Sequence, residues 1–226
     1  MNYGYLAYPD IPAAAVHVLP LGAVEPHGPH APLVTDTLIS IGVCHRAAKR
    51  LEGEIPVLVL PPVHYGVTRY AGGFPGTVSI SEDTLRSLVR EISESVGTLV
   101  LVNNHFEPEQ VQTLRSTGLP LLDLTRRARA ERLTEEFRSG SCHAGRYETS
   151  LVLADAPQLV DPSAADLPAN EVDMPAAMAA GRTDFLAMGM DEAYCGAPAE
   201  ASPEEGLETF ETLTDMLVEL IREVAA

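Results

Sequence analysis

Two short segments of the chain each carry a histidine and a glutamate two positions apart. Glu25 and His27 begin the segment that runs to Asp36, and His105 and Glu107 form the second pair. In extended backbone, residues i and i+2 point to the same side, so each pair can face one ion. Imidazole nitrogen and carboxylate oxygen suit Zn²⁺ or Mn²⁺ better than a metal that selects thiolates. The spacing predicts a metal site built from both segments.

Asp36 stands at the start of an apolar pattern with helical spacing. A carboxylate is favoured at a helix N-terminus, and from there it can bridge two ions. A lone Asp at this position is more often only a helix cap. Single histidines such as His17, His45 and His64 are interpreted as surface or loop residues. The repeated His and Glu pairs, and not any one of these residues, indicate the metal site.

Each pair follows an apolar run that is typical of a buried strand. Strands are predicted over 16–21, 55–60, 98–102 and 119–124, with a brief one at 77–80. Helices are predicted over 36–51, 82–96, 108–117, a charged stretch ending near 137, 148–153 and a final stretch capped by Ser202. This alternation predicts an α/β fold with a mostly parallel sheet covered on both faces. Both pairs then lie beyond the carboxyl ends of strands, where such sheets bind ligands.

The remaining segment, 155–202, is rich in Pro, Ala, Asp, Met and Gly and has weak periodicity. It predicts loops and short helices that cover the site or form an oligomer contact.

Composition sets the protein class. A length of 226 residues fits one domain over 1–226. The formal charge of −17 disfavours nucleic acid, and no apolar run approaches the ~20 residues of a membrane span. The N-terminus shows no basic region followed by an apolar run, and Cys44, Cys142 and Cys195 form no disulfide framework. A cytoplasmic location is expected, with no nucleic-acid or membrane partner.

At these residues the sequence resembles the creatininase (creatinine amidohydrolase) family. The opening motif of that family is matched by Leu19-Pro20-Leu21-Gly22, Glu25, His27, Gly28, His30, Pro32, Thr35 and Asp36. Further matches are Tyr65-Gly66, Phe74-Pro75-Gly76-Thr77, Asn104-His105-Phe106-Glu107, His143-Ala144-Gly145 and Glu148-Thr149-Ser150, with a weaker one at Gly196-Ala197-Pro198.

The resemblance implies a three-layer α/β/α fold and hydrolysis of amide-type carbon–nitrogen bonds at a binuclear Zn or Mn centre, with Fe as a further option. It implies that Glu25 and His105 hold one ion, that His27 and Glu107 hold the other, and that Asp36 bridges them. A homo-oligomer, by resemblance a hexamer, and a small-molecule substrate are expected.

The resemblance also implies roles around the ions. His143 is the candidate general acid or base, since imidazole titrates near neutral pH, and Glu107 is expected to share in catalysis. Thr68, Phe106 and His30 are expected to contact substrate.

Two roles stay open. Glu148 has three possible roles, as a helix-start carboxylate, an additional ligand or the outer partner of a ligand histidine, and we favour the last. Catalysis by a Cys142 nucleophile is a distant alternative.

The chain has no Trp, whereas creatininases proper carry a Trp just before the later histidine. It also has Phe at position 106, where creatinine-cleaving members of the family have a Tyr. The expected reaction is therefore cleavage of an amide bond, above all a cyclic amide other than creatinine, by a metal-activated water. Two alternatives are a peptidase-type member that acts on a small peptide and a metal-binding homologue without catalysis.

Overall fold

A parallel four-stranded sheet lies at the centre of the computed structural model, which describes all 226 residues. The strand order is β2-β1-β3-β4, and every neighbouring pair is parallel. The strands are β1 (Val16–Leu21), β2 (Val57–Val59), β3 (Leu99–Asn103) and β4 (Leu121–Leu122).

Eight α-helices follow or cover these strands. They are α1 (Thr35–Arg50), α2 (Glu82–Val96), α3 (Pro108–Ser116), α4 (Arg127–Ala130), α5 (Glu135–Ser139), α6 (Arg146–Asp155), α7 (Met174–Ala179) and α8 (Pro203–Ala225). Short 3₁₀ turns occur at Tyr3–Tyr5, Tyr8–Asp10, Pro157–Leu159, Pro162–Asp166 and Pro198–Glu200. None of the helices combines the length and apolar composition that a membrane crossing requires.

Alternate side chains of the strands point to opposite faces of the sheet and build two cores. On one face, Val100 and Val102 of β3 pack in a cluster with residues of α1, α6 and α8. On the other face, Leu99 and Leu101 pack with residues of α2 and α3. The chain therefore has the predicted three-layer α/β/α architecture around a parallel sheet.

Three predicted elements differ from the structure. The segment 77–80 forms isolated bridges through Val78 and Ser79, and no strand. The strand predicted over 119–124 is reduced to Leu121–Leu122. The charged stretch ending near 137 is two short helices, because the Thr134 hydroxyl accepts the Phe137 N–H and starts a new helix.

The segment 155–202 packs beside the carboxyl ends of the strands. Phe185, Met188, Met190 and Cys195 form a third apolar cluster with Tyr70, which lies in the loop after β2. The Phe185 N–H donates to the Tyr70 carbonyl and anchors the segment there. Short helices and turns thus cover the edge of the sheet at which the predicted ligand pairs lie.

Candidate metal centre

Neighbouring strands bring the two predicted pairs together. β1 and β3 are adjacent and parallel, with Leu21 opposite Asn103, so both strands end at the same edge of the sheet. Glu25 and His27 follow β1, His105 follows β3, and all three are buried. Their convergence is the expected consequence of the parallel topology.

Asp36 lies between two groups of candidate ligands. Its Oδ1 is 3.0 Å from His27 Nε2, and its Oδ2 is 3.2 Å from His105 Nδ1. Glu25 Oε1 is 3.1 Å from the same His105 nitrogen. The Ala23 N–H donates to Asp36 Oδ2 and fixes the carboxylate at the first turn of α1. One oxygen therefore faces each group, as a bridging carboxylate requires.

Backbone carbonyls orient the histidines. His27 Nδ1 donates to the Glu25 carbonyl at 3.0 Å, and His105 Nε2 donates to the Val67 carbonyl at 2.9 Å. These bonds leave His27 Nε2 and His105 Nδ1 without a proton of their own when the rings are neutral. Both free nitrogens point at the carboxylates, which is the arrangement of metal-binding histidines.

The two glutamates predicted near the metal site, Glu107 and Glu148, have different surroundings in the structure. Glu148 Oε2 lies 3.6 Å from His27 Nε2, and donor atoms of His27, Asp36 and Glu148 lie within 4.8 Å of one another. Glu107 is in none of the ligand groups, because its carboxylate accepts backbone N–H groups from Arg69 and Tyr70 at 2.9–3.1 Å. Glu148, and not Glu107, therefore lies with the donor atoms of His27 and Asp36 here, and the ligand roles of both glutamates stay predictions.

A second group, with the same 4.8 Å limit, contains Glu25, Asp36 and His105, and it shares Asp36 with the first. A third combines Glu25, His27 and His143. His17, His45 and His64 belong to no such group. The interpretation of His17 as a surface or loop residue is wrong, because it is buried in β1 with its ring edge against Tyr3.

The charge of the cluster calls for a cation. The carboxylates of Glu25, Asp36 and Glu148 are buried, and their ion-pair contacts are with histidines and with no Lys or Arg. Burial lowers the pKa of His27, but Asp36, Glu148 and Glu25 outweigh it and raise that pKa to about 10. Buried carboxylates need a compensating charge, and divalent ions supply it. The donor set thus fits Zn²⁺ or Mn²⁺.

A cavity of about 450 Å³ opens from this cluster. Glu107 lines it, and burial raises the pKa of that carboxyl to about 7, although His105 and the backbone N–H groups of Arg69 and Tyr70 lower it. His143 lines it as well, with Nε2 donating to the Pro26 carbonyl and Nδ1 3.8 Å from Glu25.

Of the three expected substrate contacts, Phe106 lines the cavity and the other two do not. Thr68 is fully buried, and its hydroxyl donates to Glu25 Oε2, so it holds a ligand candidate in place. His30 is also buried, with Nε2 2.9 Å from the Thr149 hydroxyl. Both side chains contact residues of or beside the cluster here, and their contact with substrate stays a prediction.

Gln110 is a supporting residue that sequence reasoning did not identify. This fully buried side chain accepts the Val67 N–H and donates to Gly22 and Asn103. It therefore joins the loops after β1, β2 and β3. The only sequence feature that could have indicated its role is that a polar residue occupies the buried face of α3.

Comparison with known proteins identifies the family of the chain. The family model Creatininase, described as creatinine amidohydrolase, matches residues 5–221. The chain belongs to the creatininase family. Members of this family are hydrolases, so the predicted class of protein is confirmed.

Similar creatininase-family proteins have two different names. "Mycofactocin precursor peptide peptidase" of Mycobacterium tuberculosis (strain CDC 1551 / Oshkosh) is 31% identical over 223 residues, which cover 92% of this chain and 84% of that protein. The protein of that name from Mycobacterium ulcerans is 35% identical over 63% of this chain, and the match spans 59% of its length. "Creatinine amidohydrolase" of Pseudomonas putida is 33% identical, with 65% and 66% covered.

Solved creatininases share the fold. A mutant creatininase complexed with creatine superposes with a TM-score of 0.72 at 25% identity, covering 98% of this chain and 97% of the other. A mutant creatininase described as Zn–Zn type gives 0.71 at 26% identity, with 98% and 96% covered.

Proposed function

We propose that this chain is a binuclear metal-dependent hydrolase that cleaves an amide bond in a short peptide. The observation that carries the proposal is the pair of buried ligand groups sharing Asp36, with one carboxylate oxygen directed at each group. By this reading Glu25, Asp36 and His105 hold one ion, and His27, Asp36 and Glu148 hold the other.

Divalent ions held there would lower the pKa of a coordinated water and polarise the carbonyl that is attacked. The residues of the chain then bind, orient and move protons. His143 lies at the junction of the ligand cluster and the cavity, with Nδ1 directed towards Glu25, so it is our candidate for proton transfer to the leaving nitrogen. Glu107 lines the same cavity without entering a ligand group, and we assign it a position beside the scissile amide.

Two observations favour a peptide. The cavity of about 450 Å³ lies within the range of roughly 300–1,000 Å³ typical of small-ligand pockets, and Phe106, Phe137 and Phe185 give it an apolar wall. The similar mycobacterial proteins are named as peptidases of a precursor peptide, and one match extends over 92% of this chain. A cyclic amide is the second candidate, because the similar Pseudomonas putida protein is named creatinine amidohydrolase.

The test combines metal content with turnover. Protein stripped with a chelator and then restored with Zn²⁺ or Mn²⁺ is assayed on a panel of short apolar peptides and of lactams and other cyclic amides. We expect peptide cleavage that requires the metal, and loss of both metal and turnover in His105→Ala.

The control is His45→Ala, because His45 is an exposed histidine of α1 outside every ligand group. It should retain both properties. Full activity of His105→Ala contradicts the proposal, whereas full metal binding without turnover on any substrate favours an inactive homologue.

A further inference from the structure

The two basic residues that line the cavity differ in their partners. Arg115 is occupied, since its guanidinium donates to Asp123 and to the Thr125 hydroxyl at 2.7–2.8 Å. The Arg138 guanidinium has no carboxylate within 4.0 Å, and its only hydrogen bond is a 3.5 Å contact with the Glu131 carbonyl. Although the chain has 32 acidic and 15 basic residues, the Arg138 guanidinium is left without an acidic partner at the cavity wall.

The backbone beneath Arg138 is held on both sides. Phe137 packs edge-on against Phe106, with ring centroids 5.4 Å apart, and contacts Tyr147 on its other side. Gly140 ends α5 in a left-handed conformation with φ of 78°, and a Cβ there would clash with Pro175. Arg138 is therefore an exposed side chain on a fixed helical turn.

Three kinds of side chain line the cavity. The acidic groups are Glu25, Asp36, Glu107 and Glu148, which belong to or adjoin the proposed metal centre. Aromatic and methionine side chains form an apolar wall, and Arg138 lines the same cavity. A ligand that fills this space can place its amide at the carboxylate cluster, an apolar group along the wall and a group that pairs with a guanidinium at Arg138.

We propose that Arg138 binds a carboxylate of the substrate, so that the enzyme selects peptides that present an apolar residue next to a negative charge. This inference rests on the proposed function and specifies its substrate. A guanidinium presents a planar fork of donors that matches a carboxylate in two parallel hydrogen bonds. Two sources supply such a group, the C-terminus of a peptide and an Asp or Glu side chain.

Binding measurements test the inference without relying on turnover. The probes are acetyl-Phe-Phe as free acid and as C-terminal amide, titrated into metal-loaded protein by calorimetry. We expect the wild type to bind the acid about 10-fold more tightly than the amide, and Arg138→Gln to lose this preference. Arg90→Gln is the matched control, because Arg90 is exposed, has no acidic partner and lies on α2 outside the cavity. It should behave like the wild type.

A second probe pair separates the two sources. Acetyl-Phe-Glu-amide carries its only charge on the side chain, and acetyl-Phe-Gln-amide is its neutral match, so a preference for the Glu peptide assigns Arg138 to a side-chain carboxylate. The preference should also weaken as salt rises, since the guanidinium is exposed.

The inference is overturned if neither acidic probe binds more tightly than its neutral match. It is also overturned if Arg138→Gln still prefers the acidic probe, which is the result expected if the carboxylate binds the metal ions. Failure of the proposed function has a different signature: no metal is bound, or no amide is cleaved, whatever Arg138 does.

Discussion

Glu136 joins two segments that frame the metal centre, and its removal gives a sharp test of how the site is supported. Its carboxylate accepts the N–H groups of Arg146, Tyr147 and Ala197 at 2.6–2.9 Å. Arg146 and Tyr147 are the first residues of α6, the helix that presents Glu148, and Ala197 follows the segment that covers the site. The Glu136 side chain thus holds both the N-terminus of α6 and the end of the covering segment in place.

The expected cost of Glu136→Ala follows from these three bonds. Each N–H that loses a charged acceptor costs roughly 1–3 kcal/mol, and the lower value applies because water can reach a helix N-terminus. We therefore expect a loss of about 3 kcal/mol in the free energy of unfolding. For a chain of this length that corresponds to a decrease in Tm of about 6–12 °C.

Urea denaturation at one fixed protein concentration, followed by circular dichroism, measures this loss. Glu135→Ala is the control, because Glu135 is an exposed acid in the same turn of α5. It should change stability by less than about 0.5 kcal/mol. A loss below 1 kcal/mol in Glu136→Ala, or equal losses in the two variants, would refute the reasoning.

Three further predictions concern the metals and the charge balance. Glu148→Gln should reduce the bound metal measured by elemental analysis towards one ion per chain, whereas Glu107→Gln should keep the wild-type content and lose turnover. Removal of metal with a chelator should lower the Tm, since the buried carboxylates then lack their compensating charge, and restored Zn²⁺ should raise it again; an unchanged Tm counts against the site. Burial raises the pKa of Asp123, but hydrogen bonds from Thr125 and Arg115 outweigh it and lower that pKa. The ionised Asp123 carboxylate therefore stabilises the folded state above the ordinary Asp pKa of about 3.9, and this stabilisation disappears as pH falls through the lowered pKa. We expect Asp123→Asn to lower the free energy of unfolding by about 1 kcal/mol at pH 7 and to have no effect in strong acid. A pH-independent difference in urea denaturation would contradict this sign.

The sequence predicted the fold and the place of the site for reasons that are local. Apolar runs such as 16–21 and 98–102 indicate buried strands. Because these strands are parallel, the residues that follow each of them lie at the same edge of the sheet. The convergence of Glu25, His27 and His105 follows directly. Asp36 was predicted to bridge, and its two oxygens do face the two groups.

The assignment of Glu107 and Glu148 depended on contacts that spacing does not reveal. The i and i+2 relation places His105 and Glu107 on one side of an extended chain, but the loop after β2 offers two backbone N–H groups that take the Glu107 carboxylate. Glu148 reaches His27 from α6, more than 100 residues later in the chain. Tertiary contacts of this range leave no local pattern.

Thr68 illustrates the same limit for substrate contacts. Its position in the loop after β2 was predicted, but which way the hydroxyl points depends on Glu25, which that loop meets only in the folded chain. The segment 155–202 was expected to cover the site or to form an oligomer contact, and its weak periodicity did not predict that Phe185 would line the cavity.

The most direct test of the metal centre is the number of ions per chain. Wild-type protein and the Asp36→Asn variant are purified without chelator and incubated with Zn²⁺ or Mn²⁺. The metal content of each is then measured by elemental mass spectrometry. The account predicts two ions per chain in the wild type and at most one in the variant, because Asp36 belongs to both ligand groups. One ion or none in the wild type, or two in Asp36→Asn, would contradict it.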